Sequence, residues 1–161
     1  MVASQGQEIE VRRLPAGQVA YQTFRGTIAS VESVTSSVRS WVVTMGYQPE
    51  GPMAVEIQGT PSTDATTEYD IEVQLPVGEN AKAHPSDKVQ IKPFQETEAV
   101  VMTLRGPYEL TNIATPLEEL RRFVQEKGMP PSDVVRWVEV TDPAKVTPQE
   151  QVTEIQYLVT R

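Results

Sequence analysis

The second half of this chain repeats the first, and that feature constrains the fold more than any other. Arg25-Gly26 and Arg105-Gly106 lie 80 positions apart (105 minus 25). At that offset Val11 meets Ile91, Leu14 meets Phe94, Thr23 meets Thr103 and Phe24 meets Leu104. Further on the offset is 82: Trp41 meets Phe123, Gly46 meets Gly128, Glu72 meets Glu154, Val73 meets Ile155, Gln74 meets Gln156 and Val77 meets Val159. A spacing held from Trp41 to Val159 marks two copies of one structural unit. Two extra residues must therefore enter between Arg105 and Phe123. Inside a helix they would turn the apolar face by about 200°, so they have to be absorbed near a terminus or a distortion. Pro116 is the candidate, in a bent helix beginning near Tyr108.

Each copy reads strand, strand, helix, strand, strand. In the first, Ile9 to Leu14 and Val19 to Phe24 read as strands separated by the Pro15-Ala16-Gly17 turn. Ile28, Val31, Val34, Val38, Trp41, Val42 and Met45 fall at helical spacing, which predicts a helix despite a Ser-, Thr- and Val-rich segment of poor propensity. Gly46 is placed to cap it. Met53 to Gln58 and the alternating Tyr69 to Leu75 read as strands. The second copy has strands over Val89 to Phe94 and Ala99 to Leu104, and a helix carrying Ile113, Leu117, Leu120, Phe123 and Val124 that ends at Gly128. Strands over Val134 to Thr141 and Thr153 to Val159 follow. The expected organisation is one domain of 161 residues: a first repeat over about 8–77, a linker over about 78–88 and a second repeat over about 89–161. Two such copies predict an α+β fold in which an antiparallel sheet and two long helices are arranged about a pseudo-twofold axis. The cleft between the halves is the place for a small ligand.

Much chemistry is excluded. There is no cysteine and one histidine, His84, in the polar linker, so a zinc site, a thiol nucleophile and a Ser-His-Asp triad are not expected. No phosphate-binding glycine loop or dinucleotide fingerprint occurs, and no cofactor or metal is expected. The net charge of -8 and the absence of a basic cluster argue against direct nucleic-acid binding. No apolar run approaches membrane-spanning length, and the amino terminus lacks the pattern of a secretory signal, so a cytoplasmic location is expected.

The candidate site comes from where the copies differ. At offset 82, Val55 aligns with Trp137 and Ile57 with Glu139. Strand alternation points both members of each pair to one face. If Val55 and Ile57 mark a buried face, Glu139 is on a buried face too, where a carboxylate is costly unless paired or used. Arg136 and Lys145 are candidate partners. A pocket with an aromatic wall at Trp137 and charge at Glu139 suits a flat apolar cation. Tyr108 either packs in its strand-to-helix turn or lines the cleft mouth. Trp41 is read as core, and Tyr69 and Tyr157 are left open.

Gly106-Pro107-Tyr108 entering a helix, a strand closing in Asp142-Pro143 and a final strand with Thr153-Glu154-Ile155 together resemble the GyrI-like small-molecule-binding domain, the effector-binding domain of multidrug-sensing transcription activators. The resemblance spans essentially the whole chain, duplication included. It implies a duplicated βαββ fold with a cleft between halves, in which aromatics and one buried glutamate hold lipophilic cations. In the family that glutamate usually lies two residues before a tyrosine. In this chain the two positions read Trp137 and Glu139, so the order of the pocket's ingredients has changed. With no helix-turn-helix segment the chain resembles the stand-alone members. The expectation is binding of apolar, cationic or aromatic small molecules by Trp137, Glu139 and Tyr108. The alternatives are a hydrolase of reactive cyclopropane-type toxins using Glu139, and a protein inhibitor such as a gyrase modulator acting on a protein partner.

Overall fold

The computed structural model describes residues 9–59, 64, 66–106, 110–141 and 145–159, with the side chains of 110–114 and 131 excepted. Eight strands form one antiparallel sheet. In chain order they are β1 (Glu10–Leu14), β2 (Gly17–Gly26), β3 (Ala54–Gln58), β4 (Tyr69–Val77), β5 (Gln90–Phe94), β6 (Thr97–Arg105), β7 (Pro131–Glu139) and β8 (Val152–Val159). Two helices, α1 (Val31–Thr44) and α2 (Leu110–Glu126), complete the expected order. Single 3-10 turns precede α1 (Ile28–Ser30) and β8 (Pro148–Glu150); the second fell in a stretch the sequence marked only as loop.

The sheet order is β1-β6-β8-β7-β3-β4-β2-β5. Exchanging each strand for its repeat mate reverses this order into itself, which is the pseudo-twofold. The axis can be placed from register alone. Val55 of β3 is paired with Trp137 of β7, and 137 minus 55 is 82, the repeat spacing. The axis therefore passes through that pair. Registers elsewhere obey the same offsets: Val55↔Val73 is matched by Trp137↔Ile155, and Gln18↔Val77 by Glu98↔Val159. The first strand of each repeat is exchanged, with β1 beside β6 and β5 beside β2.

The helices match in the same way. Thr35, Val38 and Val42 are buried on α1, and Leu117, Leu120 and Val124 are buried on α2, each pair 82 apart. Both helices end alike. Gly46 (φ 82°) and Gly128 (φ 65°) adopt the left-handed conformation that lets Tyr47 N–H reach the Val42 carbonyl and Met129 N–H reach the Val124 carbonyl, each at 3.0 Å. One expectation needs correcting. Since α2 is a single helix from Leu110 through Pro116, and the 3-10 turn from Ile28 corresponds to its start at offset 82, the two extra residues lie between Gly106 and Leu110 and not at Pro116.

The sheet has two dissimilar faces. On one, α1 packs over β2 and β4 and α2 over β6 and β8, enclosing the main core of Val38, Val42, Val55, Ile71, Val73, Met102, Leu120, Trp137 and Ile155. The other face curls on itself. Leu14 of β1 and Phe94 of β5, at opposite edges of the sheet, pack with Ala99, Val101, Leu158 and Val134 in one cluster. The Arg136 guanidinium lies 4.8 Å from the Phe94 ring, although four strand steps would separate them by about 19 Å in a flat sheet. The sheet is thus a half-barrel with both helices on its convex side. The linker is ordered by hydrogen bonds: the Trp41 indole donates to Asp87 at 2.8 Å, and Gln18 to the Gly78 and Ala81 carbonyls.

Candidate functional site

Strands β3 and β7 meet at the axis, between the strands that carry the two helices. Their convex-side residues are Met53 (just before β3), Val55 and Ile57 from one half and Val135, Trp137 and Glu139 from the other. Met53, Val55, Ile57, Val135 and Trp137 are all buried. The sequence reading of this face holds: Trp137 and Glu139 share it with Val55 and Ile57. Trp137, 1% exposed, is packed into the core beside Val55 and Ile155. Its indole reaches a ligand only after the core above it parts.

Glu139 is held at the end of β7 by its own N–H, which donates to the Met53 carbonyl at 2.9 Å. Its side chain keeps 22% of its surface, at the rim of an otherwise apolar floor. Arg39 on α1 approaches it, Nη2 lying 4.0 Å from Oε1. The suggested partner Arg136 is on the opposite face, one residue away from Trp137 in the alternation. Trp41 is half-buried against the main core and the linker. Tyr69 and Tyr157 are buried core residues on the convex side. Tyr108 and Asp142-Pro143 lie outside the described residues. Among the described residues no group of His, Cys, Asp or Glu could hold a metal ion, and no helix is long and apolar enough to cross a membrane.

The concave face carries a second, unexpected constellation. Arg136 Nη1 donates to Gln156 at 2.8 Å, Nη2 donates to Gln74 at 3.2 Å, and Nε lies 3.4 Å from Glu56. Gln156 in turn donates to Glu154 at 3.0 Å and Gln74 to Glu72 at 2.5 Å. Glu154 accepts from Arg12 of β1, and Glu72 from Lys92 of β5, both at 2.8 Å. The chain runs from one edge strand to the other and obeys the axis: Arg12 and Lys92, Glu154 and Glu72, Gln156 and Gln74 are repeat mates. Arg136 stands beside the axis opposite Glu56. Burial drives both members of that pair toward neutrality. It raises the Glu56 carboxyl above its ordinary range, against the pull of Arg136, and lowers Arg136, against the pull of Glu56. This network escaped the sequence reading. Its signal was present, since Glu72/Glu154 and Gln74/Gln156 are polar residues kept at matching positions of both copies.

No family model matches the sequence, and no curated protein does. Solved structures do match in fold. The C-terminal domain of EcmrR superimposes with a TM-score of 0.79 at 17% identity, over 98% of this chain and 99% of that one. Against EcmrR in its complex with DNA the TM-score is 0.80 at 16% identity, over 96% of this chain, which spans only 58% of that longer protein. A hydrolase from Listeria innocua matches with a TM-score of 0.67 at 14% identity, over 95% and 92% of the two chains. SAV2435, solved bound to tetraphenylphosphonium, matches with a TM-score of 0.56 at 11% identity, over 95% and 94%. The architecture expected from the resemblance is thereby shown: an α+β fold of two helices on an eight-stranded curled antiparallel sheet, as in the C-terminal domain of EcmrR.

Proposed function

We propose that this chain binds a flat, apolar small molecule, cationic or aromatic, in the groove between its halves. Once the core above it parts, Trp137 stacks on the ligand, Glu139 supplies charge and Tyr108 is the third ligand-binding residue. One observation carries the reading. At the axis, where the first repeat has Val55 and Ile57, the second has the largest fully buried side chain and a carboxylate at the rim of an apolar floor. An aromatic face beside a carboxylate fits a delocalised cation. SAV2435 with its bound tetraphenylphosphonium supplies a precedent for the fold. The test is a titration with tetraphenylphosphonium followed by tryptophan fluorescence. Saturable quenching that Glu139→Gln weakens several-fold is expected; no binding at high micromolar concentration would remove the reading.

The Listeria innocua hydrolase favours a second reading of the same groove, in which Glu139 activates water against a reactive electrophile. Turnover of a cyclopropane-type substrate, lost in Glu139→Gln, separates catalysis from binding.

A further inference from the structure

Arg39 on α1 and Arg121 on α2 are repeat mates, differing by 82 (121 minus 39). Each follows a buried residue of the matched faces, Val38 and Leu120. Their halves offer them different acids. In the second half Glu118 sits one turn back on the helix, and Arg121 pairs with it at 3.4 Å. The repeat mate of Glu118 is Ser36, so α1 gives Arg39 no such acid. The floor residue that Arg39 approaches is Glu139, whose own mate is Ile57. Arg39 therefore leans across the groove, from the helix of one half to the strand of the other, and places its guanidinium 4.0 Å from the carboxylate.

We propose that Arg39 is the resident counter-ion of Glu139 and sets the charge selectivity of the groove: a cationic ligand has to take Glu139 from Arg39, whereas a neutral one does not. This rests on the groove being the small-molecule site. With Arg39 in place its positive charge offsets that of Glu139, so a lipophilic cation gains less from the carboxylate than it otherwise would. The pair suits a displaceable contact. Its side chains are 45% and 22% exposed, the separation is that of an ion contact, and partly exposed pairs of this kind are weak. When Arg39 swings out, its departure removes the like charge from beside the entering cation.

The experiment compares two probes of one shape, tetraphenylphosphonium and neutral triphenylphosphine oxide, on the wild-type chain, Arg39→Gln, Glu139→Gln and the double variant. Arg39→Gln is expected to tighten the cation by about fivefold and leave the neutral probe unchanged. Glu139→Gln weakens only the cation, and in the double variant the gain from Arg39→Gln disappears. If the neutral probe binds but Arg39→Gln does not improve the cation, or improves both probes alike, the counter-ion role is overturned while the groove stands. If neither probe binds any variant, groove and counter-ion fall together. Far-ultraviolet circular dichroism confirms that each variant is folded.

Discussion

Arg136 is the most heavily engaged charged side chain described, meeting two glutamines, Glu56 and the Phe94 ring at the centre of the concave face. Removing it leaves Glu56 buried without its cation, so Arg136→Met is expected to cost about 3–5 kcal/mol in urea unfolding. Adding Glu56→Gln should recover part of that loss. Acid titration carries the sign of the Glu56 shift. Its folded carboxyl titrates above the ordinary value because burial disfavours charge. Its contribution to stability is thus fully present below the unfolded value and is lost as pH rises through the folded one. Between those two values, raising the pH should destabilise the wild-type chain more than Glu56→Gln, read as unfolding midpoints against pH. Residue-level features were only partly legible. The alternation and the repeat placed Trp137 and Glu139 on one face, because β7 keeps the register of β3. Arg136, one of the two suggested partners of Glu139, faces the other way, because neighbours along a strand point to opposite faces, and Arg39 comes from an element no local pattern connects to β7.

The elements themselves were easier to read, because each has a physical signature inside its own sequence. Periodic Val31, Val38 and Val42 gave α1 in spite of poor propensity, and alternation gave β4 with its buried odd positions. The helix stops at Gly46 and Gly128 came from residue type alone, and the left-handed backbone at both confirms the reason. Nothing lies within 4 Å of a Cβ built on either glycine, so substitution there acts on backbone conformation only. Gly46→Ala and Gly128→Ala are expected to cost about 1 kcal/mol each and to add in the double variant. Unequal costs or strong coupling would show that the two caps are not equivalent. The position of the two-residue insertion was not legible, since Pro116 looked like a disruption while α2 runs through it unbroken.

For the whole molecule, the repeat dictated the pseudo-twofold, but nothing in it dictated the exchange of first strands or the curl. Both depend on which sheet edge an edge strand finds, a long-range choice that composition does not encode. The exchange has a thermodynamic consequence. Each half completes its sheet with a strand from the other, and the Arg12-to-Lys92 network ties the two edges together, so the halves should unfold as one unit. The two tryptophans report on different repeats, Trp41 in the first and Trp137 in the second. In Trp41→Phe and Trp137→Phe, the remaining fluorescence is expected to follow the same denaturation curve as circular dichroism measured on that same variant. Separated transitions would mean that the exchanged strands do not couple the halves.

The position of Val55 against Trp137 on the axis carries one more consequence. An assembly of two identical chains must present its central groove with two equivalent ends, so any guest can enter head-first or tail-first with equal ease. Every innovation at the centre would appear twice, tryptophan facing tryptophan and a second carboxylate at the far end. Joining the two copies in one chain lifts that degeneracy. One end of the floor can become acidic while the other stays oily, and the guest acquires a single preferred direction.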